Sequence, residues 1–195
     1  MKKIIFTLTF LISLALVSYA QVEIKGGGGI NLAGFSKDLD NYTTDGRIGY
    51  QFGAGALIGE KFYVEPSVYW LRVAQYAVLK DDPEEIENLV ALNSIRVPVH
   101  LGYHIIGGKE EKVFALRVFA GPGFGFLTKV TSDLSDLTKD DFKSFNLDID
   151  AGLGIDIWFI FVEAQYSWGM LKVLEEGSDA KVRGLVANAG FRIPF

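Results

Sequence analysis

From Ser144 to Ile157 the chain alternates without a break. Phe145, Leu147, Ile149, Ala151, Leu153, Ile155 and Ile157 share one face, and Ser144, Asn146, Asp148, Asp150, Gly152, Gly154 and Asp156 share the other. A period of two sustained over this length specifies a β-strand. Three aspartates on one strand face cannot enter an ordinary sandwich core, because a buried charge must be paired or remain wet. One side of this strand therefore meets an apolar medium and the other a polar one.

Seven further segments show the same division. In chain order, the first strand (22–35) sets Glu23, Lys25, Gly27, Gly29 and Asn31 against Val22, Ile24, Ile30 and Leu32. The second (48–58) sets Gly49, Gln51, Gly53 and Gly55 against Ile48, Tyr50 and Phe52, and the third (62 to about 75) sets Glu65 and Ser67 against Val64, Val68 and Trp70. The fourth (about 93 to 106) places Arg96, His100 and His104 opposite Ile95, Val97 and Leu101. The fifth (113–127) places Arg117, Gly121, Gly123 and Gly125 opposite Leu116, Val118, Phe124 and Phe126. After the sixth, 144–157, the seventh (160–170) sets Glu163, Gln165 and Ser167 against Val162, Ala164, Tyr166 and Trp168. The eighth (181–195) sets Gly184, Asn188, Gly190 and Arg192 against Leu185, Ala187, Phe191, Ile193 and Phe195.

The connections alternate as regularly as the strands. Short ones follow the second, fourth and sixth strands (59–61, 107–112 and a tight turn at Trp158 and Phe159), and long ones occupy 36–47, 76–92, 128–143 and 171–180. An even number of strands with short turns at one end and long loops at the other predicts a closed, eight-stranded, antiparallel, up-and-down transmembrane β-barrel, all-β, with both termini periplasmic. Glycine, 22 of 195 residues, then has a place: an eight-stranded interior is narrow, and inward positions not taken by polar side chains are mostly glycine. A lipocalin-like soluble ligand carrier, the rival barrel, has the opposite polarity, apolar inside and polar outside.

The N-terminus reads as a secretory signal peptide over residues 1–20. Lys2 and Lys3 precede an apolar run from Ile4 to Val17, and Ser18-Tyr19-Ala20 supplies small residues for cleavage. As a membrane anchor the run is short. Cleavage after Ala20 removes both lysines, taking the formal charge from −5 to −7 and leaving residues 21–195 as one barrel domain. This acidic balance, with no basic cluster, argues against nucleic acid as a partner. The absence of cysteine excludes disulfides, thiolate metal sites, thiol nucleophiles and N-terminal lipidation on cysteine.

The stretches Glu23–Phe35 (EIKGGGGINLAGF), Glu65–Trp70 (EPSVYW), Ser94–Tyr103 (SIRVPVHLGY), Phe119–Phe126 (FAGPGFGF) and Gly190–Phe195 (GFRIPF) resemble the PorT-like outer-membrane β-barrel family of Bacteroidota. The resemblance extends over essentially all of the mature chain. It implies an outer-membrane barrel in contact with lipid and delivered by the barrel-assembly machinery. Phe191, Ile193 and Phe195 would form the assembly signal, with Pro194 departing from the usual aromatic or basic-aromatic ending. Some members of that family serve protein secretion, but no residue here matches a secretion-specific motif.

Several constellations invite chemical readings. His100 and His104 lie four apart, a two-histidine metal spacing on a helix, but on a strand they stand about 13 Å apart, beyond the reach of one metal. Asp148 and Asp150, about 7 Å apart on one face, are better read as members of a salt-bridged interior than as a catalytic pair. The expected interior network comprises Lys25, Glu65, Arg96, Arg117, Asp148, Asp150, Asp156, Glu163 and Arg192, together with Glu23. Arg117 is provisionally matched to Asp150, with Asp148 and Asp156 left open, since the stagger between strands is not legible in sequence. Gly152 interrupts the one calcium-loop-like start, and the glycine runs complete no phosphate-binding motif. With no GxSxG or HExxH either, no enzyme, cofactor or metal is expected.

The long loops carry acidity, most strongly the second, where Lys80 faces Asp81, Asp82, Glu84, Glu85 and Glu87, and where Pro83 could open a short helix to Leu92. The expected role is non-enzymatic, in envelope integrity or surface interaction, with an unidentified surface or periplasmic protein as partner. Membership of a secretion or transport assembly is the alternative, and the soluble ligand carrier a second.

Overall fold

The computed structural model describes residues 22–36, 42–79, 88–107, 113–132, 141–174 and 179–194. The expected leader, most of the acidic second loop including residues 80–87, and Phe195 lie outside the described residues. Eight strands form a closed barrel: β1 (Val22–Phe35), β2 (Tyr42–Gly59), β3 (Phe62–Leu79), β4 (Asn88–Ile106), β5 (Phe114–Ser132), β6 (Phe145–Ile157), β7 (Ile160–Gly169) and β8 (Val182–Pro194). Each pairs antiparallel with the next, and β8 closes on β1 with Gly27 opposite Gly190. Closure leaves no open sheet edge to meet the lipid.

The polarity is that of a membrane barrel. Ile30, Leu32, Ile48, Phe52, Leu101, Leu153, Leu185, Phe191 and Ile193 point outward and are exposed, whereas Lys25, Glu65, Arg96, Arg117, Asp150 and Glu163 are buried inside. Aromatic pairs border the apolar band at both ends, as they do at the two interfaces of a bilayer. Phe126 with Phe145 and Tyr166 with Trp168 lie at the long-loop end, and Phe62 with Tyr103 and Phe159 with Phe191 at the short-turn end. Gly59 and Gly107, just where β2 and β4 end, have φ of 130° and 75°, and Trp158, in the two-residue turn after β6, has φ of 54°.

Four strands run beyond their expected limits toward the long loops. β2 begins at Tyr42, β3 reaches Leu79, β4 begins at Asn88 and β5 reaches Ser132. The helix expected from Glu84 to Leu92 is therefore replaced by strand from Asn88 onward, paired with β3. Toward the loop ends of β3 and β4 the alternation that marks a strand fails because both faces are covered: Val73, Ala74 and Gln75 are all buried, as are Val90, Ala91, Leu92 and Asn93. A bulge also breaks the period. Asn93 pairs with Lys129 and Ser94 with Leu127, leaving Thr128 as the extra residue, whose hydroxyl donates to the Asn93 carbonyl at 2.9 Å. Beyond the bulge Val130 packs inward on the same cluster as Leu127.

The interior is less uniformly polar than expected, since Tyr63, Tyr69, Phe119 and Phe161 are buried in it. Each ring lies across a glycine on a neighbouring strand. A Cβ at Gly53 would stand 2.7 Å from the Tyr69 ring, one at Gly152 2.6 Å from Phe119, one at Gly190 2.9 Å from Phe161, and one at Gly102 would strike Tyr63. These glycines make room for specific rings. Gly102→Ala should therefore destabilise the barrel by about 1–3 kcal/mol, the usual cost of overpacking. Urea unfolding in lipid vesicles measures it, and Tyr63→Leu in the same background should recover part of the loss.

Candidate functional site

The candidate site is the barrel interior, which has two parts. In the half nearer the short turns, alternate positions of six strands bring together Lys25, Glu65, Arg117, Asp156, Glu163 and Arg192. Arg117 forks onto Asp156, with Nε donating to Oδ2 at 2.9 Å and Nη2 to Oδ1 at 3.2 Å. Its Nη1 reaches Glu65 at 3.3 Å and the Tyr63 hydroxyl at 3.3 Å, and its Nη2 also donates to Glu163. Lys25 Nζ donates to Glu65 at 2.6 Å and to Glu163, and lies 4.5 Å from the centre of the Phe161 ring. Arg192 donates to Asp156 at 2.8 Å and pairs with Glu23 at 3.3 Å. Three cations thus share four carboxylates across the full width of the barrel. Such sharing offsets the desolvation of each charge.

A second cluster sits nearer the long loops. Arg96 Nε donates to Asp148 at 3.2 Å, its Nη2 donates to Asp148 and to Asp150 at 2.6 Å, and His100 Nε2 donates to Asp150 at 2.9 Å. Ser167 adds a donor to Asp150 at 2.6 Å, and the His100 ring stacks on Phe119 at 5.0 Å. His104 is separate, with Nδ1 donating to the Glu60 carbonyl at 2.8 Å.

Of the three aspartates open to Arg117, it takes Asp156 and not Asp150. Arg117 lies opposite Gly154 in the β5–β6 register, beside Asp156, and Asp150 lies four residues further along, about 13 Å away. Asp150 belongs to Arg96. Of the expected assembly signal, Phe191 and Ile193 face outward and are exposed.

Above the Arg96 cluster the interior changes character. Gln51 donates to the Asn188 side chain at 2.8 Å and Asn31 to the Arg72 carbonyl at 3.1 Å. Beyond these amides the wall is apolar, with Leu71, Val73, Leu92, Leu127 and Val182 around a cavity that opens to solvent and leaves about 80 Å³ free to the centre of a water-sized sphere. Phe142 and Val173, from the third and fourth long connections, cover part of it. A bridge between Phe142 and Leu174 and a bond from Lys143 N–H to the Val173 carbonyl at 2.7 Å hold the two connections together. Sequence reasoning missed this vestibule, although Phe142, Val173 and Leu174 stand out as apolar residues within otherwise polar connections.

Comparison with curated proteins gives no match. Among solved structures, the fold is similar to the outer membrane protein OprG of Pseudomonas aeruginosa, at 16% identity and a TM-score of 0.59, over 90% of this chain and 96% of that one. Neisserial surface protein A is similar at 14% identity and 0.48, over 89% and 97%. Ail, the attachment invasion locus protein of Yersinia pestis, solved with the heparin analogue sucrose octasulfate, is similar at 15% identity and 0.45, over 89% and 99%. From residue 4 to residue 195 the sequence matches the family described as outer membrane protein beta-barrel domain; the chain belongs to that family, and its place is the outer membrane.

Proposed function

We propose that the protein is a closed, non-enzymatic outer-membrane barrel that acts in envelope integrity or surface interaction through its long-loop end. The observation that carries this reading is the shared ion-pair layer of Lys25, Arg117 and Arg192 with Glu65, Asp156 and Glu163, which spans the interior from wall to wall. A bore filled by interlocked side chains leaves no aqueous path for solutes. Within the family we place the chain with the PorT-like members of Bacteroidota, on the strength of its glycine-rich first strand and its FAGPGFGF stretch.

Planar-bilayer recording of the purified barrel tests the closed state. Little or no conductance is expected at neutral pH, and stable, reproducible porin-sized steps would overturn the reading. Detergent pull-down from native membranes tests the role. A surface or envelope protein recovered in stoichiometric amount supports it, whereas recovery of secretion machinery would move the protein into a secretion assembly.

A further inference from the structure

The vestibule has no part in the closed-barrel reading, and its composition is unusual for a space that merely fills with water. Leu71, Val73, Leu92, Phe142, Val173 and Val182 give it apolar walls. Among its lining residues, Asn31 Oδ1, Gln51 Oε1 and Asn146 Oδ1 are buried side-chain acceptors without a hydrogen-bond partner among the described residues. Asn31 and Gln51 are 1% and 3% exposed. The orientation of Asn31 is set by its donation to the Arg72 carbonyl, so the atom left over is an acceptor. These oxygens stand on opposite walls, since β6, which carries Asn146, lies four strands from β2 in the eight-stranded ring.

A buried acceptor with no donor is a standing cost that a bound donor would remove. The surrounding charges narrow the choice of donor. Arg96 on the floor is committed to Asp148 and Asp150, so it offers no free cation to an acid. Lys143 and Lys172, from the connections that cover the cavity, disfavour a cationic guest, and Lys172 is itself paired with Asp179. An acidic group would meet the unpartnered oxygens themselves. We propose that the vestibule is a binding site for a small, neutral molecule with a compact apolar body and hydroxyl donors at both ends, which bridge Asn31 and Gln51 on one wall and Asn146 on the other. The free space of about 80 Å³ holds several waters or one small guest. The ion-pair layer beneath makes the site blind-ended, and binding there does not depend on whether the barrel conducts.

The test uses the whole barrel in lipid nanodiscs with isotope-labelled valine and leucine methyl groups, titrated with 1,3-adamantanediol as probe. 2,6-Adamantanedione, which has the same body and accepts but does not donate, is the control. Saturable shifts confined to the vestibule, at Val73, Leu92 and Val173, are expected with the diol. Gln51→Leu should weaken diol binding at least tenfold and leave the response to the dione unchanged, and Val73→Trp should abolish binding by filling the cavity. Heat-modifiable electrophoretic mobility confirms folding of each variant, and Val182→Phe serves as the filling variant if Val73→Trp does not fold. Equal affinity for diol and dione, shifts that fail to saturate or spread to outward-facing methyl groups, or undiminished binding to a folded filled variant would each overturn the proposal.

Discussion

Arg117→Ala should destabilise the folded barrel by about 3–5 kcal/mol, the cost typical of removing one partner from a buried ion pair. The side chain is fully buried, and it is the group through which Glu65, Asp156 and Glu163 are joined. Its loss leaves Lys25 and Arg192 to serve all three carboxylates, neither placed to fork onto Asp156 as Arg117 does. Equilibrium unfolding in lipid vesicles gives the magnitude, and thermodynamic cycles give the partners. Arg117→Ala combined with Asp156→Ala should couple by well over ~0.5 kcal/mol, because each single change strands the other charge. The same change combined with Asp150→Ala should be additive within ~0.5 kcal/mol, since Asp150 answers to Arg96, His100 and Ser167. Coupling to Asp150 in place of Asp156 would mean that β5 and β6 pair in a different register.

The difference between those two aspartates also shows how far the sequence could be read. That Asp148, Asp150 and Asp156 point inward follows from parity along one strand, and parity is fully legible. Which arginine each one meets depends on the stagger between neighbouring strands, which hydrogen bonding sets along the whole wall and no single strand records. The four interior rings were within reach of the same parity argument: Tyr63 and Tyr69 share a face with Glu65, Phe119 shares one with Arg117, and Phe161 with Glu163. Glycine on the adjacent strand is what admits them, and that pairing again needs the register. The vestibule was harder to find. Its strands keep no clean alternation, because the Thr128 bulge shifts the phase of β5 and because β3 and β4 are covered on both faces near Val73 and Val90. Its cover comes from Phe142 and Val173, which are far apart in sequence and are joined by one short bridge between two connections.

The second large effect is expected on the outer face. Leu153→Arg should destabilise the barrel by about 2–4 kcal/mol, the cost of a cationic side chain near the bilayer midplane. Leu153 points outward with 56% of its surface exposed, between Val118 of β5 and Ala164 of β7. It lies well inside the band marked by Phe145 at one end of β6 and Trp158 beyond the other, so a guanidinium placed there must bend toward an interface or draw water into the bilayer. Ile157→Arg, on the same face but at the end of β6 beside the turn, should cost only about 0–1 kcal/mol, since the penalty falls off toward the interface. The contrast between the two positions separates a depth effect from the general cost of changing a strand residue. Unfolding in vesicles measures both, and equal losses at Leu153 and Ile157, or none at Leu153, would place the lipid band elsewhere on the barrel. The same pair of variants in short-chain detergent, where no bilayer imposes a depth, should lose most of the difference between them.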